Sequence, residues 1–182
     1  MSNFLGIDTS NYSTSVALFS RDGDLRNEVK LLPVAPGEKG LRQSDAVFHH
    51  VKAFPQVYAA LGEFSTPVAI GVSTRPRSVE GSYMPCFLSG IAAGESFAAA
   101  AGIPLLRFSH QEWHIMSAAY SAGAVHLLER ERFAAFHVSG GTTECLLVDG
   151  NDISIIGGTR DLTAGQLIDR TGVNMGIEFP CG

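Results

Sequence analysis

Two stretches of this 182-residue chain are built alike, and their likeness limits the possible folds more than any other feature. Phe4-Leu5-Gly6-Ile7-Asp8 and Ser15-Val16-Ala17-Leu18-Phe19 are short apolar runs joined by a polar turn, with a third strand predicted over residues 25–32. Far downstream the plan returns. Phe133 to Val138 leads through Ser139-Gly140-Gly141 into Glu144 to Val148, and an Asp149-Gly150-Asn151 hairpin leads on to Ile153-Ser154-Ile155-Ile156. Each copy reads as an antiparallel meander, so the chain reads as a duplicated fold seen at its two starts.

Between the copies the apolar period becomes helical. Val47, Val51, Phe54, Val57, Tyr58 and Leu61 recur at helical spacing over 44–61, where Pro55 is expected to bend or restart the helix. A buried strand is predicted at 68–72, an alanine-rich helix at 87–101 stopped by Gly102, a strand at 104–108, then a helix to about Ala122. A last helix is predicted at 164–171. Helices and strands alternating after a meander predict an α/β fold with a mixed sheet covered on both faces, the element order of a ribonuclease-H-like lobe. The expected organisation is an N-terminal lobe over 1–130 and the start of an incomplete second lobe over 131–182.

Composition narrows the function classes. A hydrophobic fraction of 45% is that of a globular protein, and a formal net charge of −5 gives no global basic field for a stand-alone nucleic-acid binder. Cys86, Cys145 and Cys181 lack Cys-x-x-Cys spacing, which fits reduced thiols in the cytoplasm. The opening residues have no basic segment or long apolar run of a signal peptide. The most apolar stretch, 87–106, is interrupted by Glu95, Gly102 and Pro104, so no membrane span is expected.

His110 and His114 bracket Gln111-Glu112-Trp113, and residues four apart on a helix share a face, so the pair is half of a metal site. The alternative is that His110 caps the helix and His114 is a surface or core residue. A zinc protease would need His-Glu-x-x-His; here Glu112 is two residues after the first histidine and projects off the ligand face. His49 and His50 read as helix-surface residues, His126 as a loop residue, and His137 as part of a buried strand. Ser139-Gly140-Gly141 lets backbone amides approach an anion, or is a plain hairpin turn. Asp8 either holds a metal-bound water or a phosphate-bound cation, or only starts its turn. Arg75-Pro76-Arg77 suits an acidic ligand or is a solvated loop. Asp169 accepts ribose hydroxyls or is a helix-surface charge.

Taken together, Leu5-Gly6-Ile7-Asp8-Thr9-Ser10 with Ser15-Val16-Ala17, the helix from Ser89-Gly90 to Ala100, His110 to His114, Val138-Ser139-Gly140-Gly141, Ala164-Gly165 with Asp169-Arg170, and Phe179-Pro180-Cys181-Gly182 resemble one family. It is the universal tRNA threonylcarbamoyladenosine transferase family, also described as O-sialoglycoprotein endopeptidases or M22 peptidases, on the sugar-kinase, heat-shock-protein and actin-like ATPase fold. Any one motif is weak, but six in the same order are specific.

The resemblance implies a divalent metal, iron or zinc, on His110 and His114. It also implies a substrate or nucleotide site formed by His137, Val138, Ser139, Gly140, Gly141, Asp169 and Gly182, with Asp8 beside it. In such enzymes threonylcarbamoyl-adenylate binds between the lobes and its carbonyl is attacked by the exocyclic amine of the adenosine beside the tRNA anticodon, with the turn amides holding the phosphate. The implied partners are a paralogous scaffold subunit, an ATPase subunit, tRNA through the complex, and a homo- or heterodimer mate on the N-terminal lobe.

Departures from the pattern suggest a divergent paralogue. Thr142 stands where the family has histidine, Cys181 replaces the first glycine of Pro-Gly-Gly, Trp113 replaces a glycine between the metal histidines, and Arg75-Pro76-Arg77-Ser78 with 80–85 takes the place of a glycine-proline-glycine loop. The family also continues past Gly182, with a nucleotide-binding asparagine and the aspartate that completes the metal site. The expectation is therefore a C-terminally truncated member without the third metal ligand, which alone binds metal weakly and transfers nothing. The alternatives are a non-catalytic nucleotide-binding or scaffold paralogue and, less favoured, an M22-type metallopeptidase.

Overall fold

The computed structural model describes residues 2–34, 41–130, 132–178 and 181. Two compact units divide the chain, Met1–Trp113 and His114–Gly182.

In the first unit the meander forms as the alternation dictates: β1 (Asn3–Ser10), β2 (Ser13–Ser20) and β3 (Leu25–Leu31) are consecutive antiparallel neighbours. Helix α1 (Gln43–Leu61) follows, then β4 (Ala69–Arg75), α2 (Phe87–Ala101) and β5 (Leu105–Ser109). The crossovers make β4 parallel to β1 and β5 parallel to β4, so the sheet runs β3-β2-β1-β4-β5. Leu5, Ile7, Val16, Leu18, Ile70 and Val72 project from one face and meet Val57 and Leu61 of α1 and Ala98 of α2 in one core. Pro55 does not restart α1, which runs unbroken from Gln43 to Leu61. The carbonyl that loses its donor to the proline belongs to Val51, an exposed residue, so water can satisfy it. Gly102 ends α2 in the left-handed conformation, φ 66°, which glycine adopts without steric cost.

Helix α3 (His110–Ser121) carries the division between the units. The division falls between Trp113, which packs in the first unit, and Ile115, which joins the core of the second. After α3, His126 opens a short helix, α4 (His126–Arg130), where a loop was expected. The second meander follows the first in plan: β6 (Arg132–Val138), β7 (Thr143–Asp149) and β8 (Asp152–Gly158) pair antiparallel in sequence order. Leu146 and Val148 of β7 centre its core with Ile115, and α5 (Ala164–Asn174) closes the described chain apart from residues 175–178 and 181. Both units are strand meanders with helices, as an α/β reading requires. Among the described residues no helix is long and apolar enough to cross a membrane.

Candidate functional site

Ligand sites of open α/β sheets gather at the carboxyl ends of parallel strands. At that edge of the first unit Asp8 of β1 is only 9% exposed. Its Oδ1 accepts the hydroxyl of Ser73 from β4 and lies 2.9 Å from Nδ1 of His110. A carboxylate oxygen accepts, so with Asp8 ionised the donor of this bond is Nδ1 of His110. Asp8 is therefore engaged with side chains of β4 and α3.

The backbone that presents His110 is fixed by a capping box. Ser109 Oγ accepts the Glu112 amide at 3.1 Å, and Glu112 Oε2 accepts the Ser109 amide at 2.5 Å. Ser109, not His110, caps α3, and the Ser-x-x-Glu spacing before the helix is the sequence signal for it. Ser78 adds bonds to both capping side chains, 2.8 Å to Ser109 Oγ and 2.9 Å to Glu112 Oε2, while Pro76 O accepts the Gln111 amide at 3.0 Å. The Arg75-Pro76-Arg77 loop is thus fastened to the start of α3, and Glu112 is engaged as a cap, away from the role of a protease base.

Trp113 anchors the same turn. Gly6 and Gly71 are register partners on β1 and β4, and a Cβ on Gly6 would lie 2.5 Å from the Trp113 ring and one on Gly71 would lie 3.8 Å from it. The indole rests on this bare patch of sheet, edge-on to Phe108, whose ring centroid is 6.4 Å away. His50, expected on a helix surface, is instead fully buried, with Nδ1 2.8 Å from Thr14 Oγ1. Burial lowers its pKa below the ordinary 6.5, against the raising effects of the Ser10 backbone and Asp8.

In the second unit His114 is exposed, and its ring centroid lies 5.4 Å from that of His137 on β6. His137 Nδ1 is 3.3 Å from Thr142 Oγ1 and 4.0 Å from Glu144 Oε2. In the hairpin after Val138, Ser139 Oγ accepts the amides of Gly141 at 3.2 Å and Thr142 at 3.0 Å, so two turn amides are engaged internally. Behind the turn, Gly165 of α5 packs directly on the peptide between Ser139 and Gly140, where a Cβ would lie 2.5 Å from Ser139 O. Thr163 caps α5 through the Gln166 amide and donates to Gly140 O at 3.0 Å. Asp169 Oδ1 accepts the Cys181 amide at 2.9 Å. Gly182, the other expected ligand contact at this end, lies outside the described residues.

The donor chemistry fits a divalent metal in part. Histidines at 110 and 114 stand four residues apart on α3. Among the described residues no group of three or more His, Cys, Asp and Glu side chains is disposed to hold an ion.

The family model for tRNA N6-adenosine threonylcarbamoyltransferase matches residues 49–182. A relative of that name from Streptococcus suis (strain 05ZYH33) is 34% identical over 186 residues, covering 98% of this chain and 52% of the relative. The chain thus spans about half the length of the curated relatives it matches. Among solved structures, a Pseudomonas aeruginosa protein with similarity to peptidase YeaZ superposes with a TM-score of 0.55 at 18% identity, over 87% of this chain and 65% of that one. The Lmo2764 protein of Listeria monocytogenes gives 0.55 at 12% identity, over 97% and 65%. At such identities these two likenesses show the fold alone, that of the actin-like ATPases.

Proposed function

Because this chain belongs to the tRNA N6-adenosine threonylcarbamoyltransferase family, we propose that it serves tRNA modification, in the transfer of threonylcarbamoyl from threonylcarbamoyl-adenylate to the adenosine beside the anticodon. The observation that carries this reading is the start of α3, where His110 and His114 stand one turn apart and the first is held by Asp8. These two residues hold a divalent metal, iron or zinc. Such an ion, when bound, supplies Lewis-acid polarisation of the carbamoyl carbonyl. His137, Val138, Ser139, Gly140, Gly141, Asp169 and Gly182 bind the adenylate. The chain works in the cytoplasm with a scaffold paralogue and an ATPase subunit, and meets tRNA through that assembly.

A second reading, a nucleotide-binding scaffold without catalysis, is favoured by the engagement of the Gly141 and Thr142 amides by Ser139. Metal uptake tests the first. Saturable Zn2+ binding should be lost in His110→Ala and in His114→Ala, and uptake unchanged in both would refute the metal assignment. Presenting the Zn2+-loaded chain, with its partner subunits, with threonylcarbamoyl-adenylate and unmodified tRNA separates the two readings. Threonylcarbamoylated tRNA supports the transferase, whereas nucleotide binding without product supports the scaffold.

A further inference from the structure

The geometry points to the loop between β4 and α2 as this chain's own contact with an unpaired stretch of RNA, in which Arg75 meets a backbone phosphate and Tyr83 stacks on a base. The inference rests on the tRNA reading given above and deepens it. All its parts lie in the first unit. Arg75 ends β4 and is half-buried. Among the described residues no hydrogen bond or ion pair engages its guanidinium. Asp8 and Glu112, carboxylates of this same edge, are engaged elsewhere: Asp8 by Ser73 and His110, Glu112 by Ser78 and the Ser109 amide. Glu80, the loop's one carboxylate, is exposed at its tip and makes no bond to Arg75. A cation drawn partly out of water without a counter-charge is costly, and an anionic ligand removes that cost. Arginine suits phosphate in particular, because its planar fork meets two oxygens at once.

Local structure holds the loop ready. The pairing of β4 with β5 passes over Thr74, so that Ser73 partners Phe108 and Arg75 partners Ser109, and a bulge of this kind re-aims the side chain that follows it. Thr74 Oγ1 donates to Phe108 O at 3.2 Å and holds the offset. Beyond it the loop is fastened to the start of α3 through Pro76 O and Ser78. It also closes on itself, the Arg77 amide donating to Ser82 Oγ at 3.0 Å and the Ser82 amide to Val79 O at 3.2 Å. That closure returns Tyr83, the residue after Ser82, toward the end of β4. Tyr83 is 63% exposed, and its ring meets no other ring among the described residues. A loop held in this way loses little conformational freedom on binding. An aromatic face combined with an arginine suits single-stranded RNA, whose bases stack whatever their identity while the guanidinium neutralises phosphate. With a formal net charge of −5 the chain has no general field for RNA, so its contact must be local. The residues proposed for the adenylate lie between His137 and Gly182, which leaves the acceptor RNA as the source of the phosphate at Arg75.

Salt-dependent binding tests this. The full 182-residue chain with its partner subunits is titrated, over a series of KCl concentrations, with a fluorescein-labelled, unmodified anticodon stem-loop RNA. Arg75→Gln should reduce the steepness of log affinity against log salt by about 0.7, the value of one phosphate contact on a single strand, while Arg75→Lys should keep it. Tyr83→Ala should weaken binding by about 5–150-fold, and Tyr83→Phe should restore it. A salt slope unchanged in Arg75→Gln, even with weaker binding, or an affinity unchanged in Tyr83→Ala overturns the proposal. A parallel titration with AMP separates the two sources of phosphate: AMP affinity that falls in Arg75→Gln with RNA binding intact assigns Arg75 to the free nucleotide and overturns the RNA contact. A wild-type assembly that binds no RNA refutes the tRNA reading itself, whereas RNA bound equally by wild type and all variants refutes only the part given to this loop.

Discussion

Substituting Gly6 by alanine probes the anchoring of α3 directly. The new Cβ would lie 2.5 Å from Cη2 of Trp113, with two further ring atoms at 3.3 and 3.4 Å. Carbon atoms settle near 3.5–4.0 Å, so the indole must withdraw by about 1 Å or the strand must yield. Overpacking of this kind costs about 1–3 kcal/mol, offset by about 0.4–1 kcal/mol because alanine restricts the unfolded chain more than glycine does. The net expectation is a loss of up to about 2.6 kcal/mol, readable in urea denaturation. The same substitution made in Trp113→Leu, where the offending ring atoms are gone, should be neutral or stabilising, with a coupling energy of about 1–3 kcal/mol between the two sites. Trp113 is the sole tryptophan, so its fluorescence reports on the contact without a label. An equal cost of Gly6→Ala in both backgrounds, or an emission spectrum that does not move in the single variant, would refute the packing argument.

Three other outcomes follow from the contacts described. Gly165→Ala sets a methyl against the Ser139 carbonyl, which is backbone and cannot rotate away, so the second unit should lose about 1–3 kcal/mol and its amides should exchange faster. The folded-state pKa of His50 is lowered by burial, so below its ordinary value of 6.5 the unfolded chain takes up the proton more readily than the folded one. Stability should therefore fall as pH drops from 6.5 toward the folded-state value, and His50→Gln should flatten this part of the profile of chemical-denaturation midpoints. Asp169→Ala removes the acceptor of the Cys181 amide, and alkylation followed by peptide mass spectrometry should show Cys181, but not the buried Cys86, reacting faster than in wild type.

The strands and helices were legible because their signals are local. Alternation over 4–8 and 15–19 and the glycine stop at 102 each act within a few residues, and the duplicated meander is visible as a repeated pattern. The misreadings were of non-local facts. His50 is buried by a partner 36 positions away in sequence, and nothing in the surrounding helix announces that Thr14 will face it. Trp113 stood out only as an odd residue between two histidines until the pairing of β1 with β4 set Gly6 beside Gly71 beneath it. Pro55 suggested a broken helix because its cost depends on solvent at Val51, and burial is decided by tertiary structure. The capping box is the exception, a local signal at Ser109 and Glu112 that the histidines beside it overshadowed.

The bare patch under Trp113 also couples two distant positions of the sequence. A Cβ at position 6 would meet the ring at 2.5 Å, whereas one at position 71 would lie 3.8 Å from it, an ordinary contact. The residues tolerated at position 6 therefore depend on what stands at 113, and a library varied at both positions should accept side chains larger than glycine at 6 far more often where 113 is small.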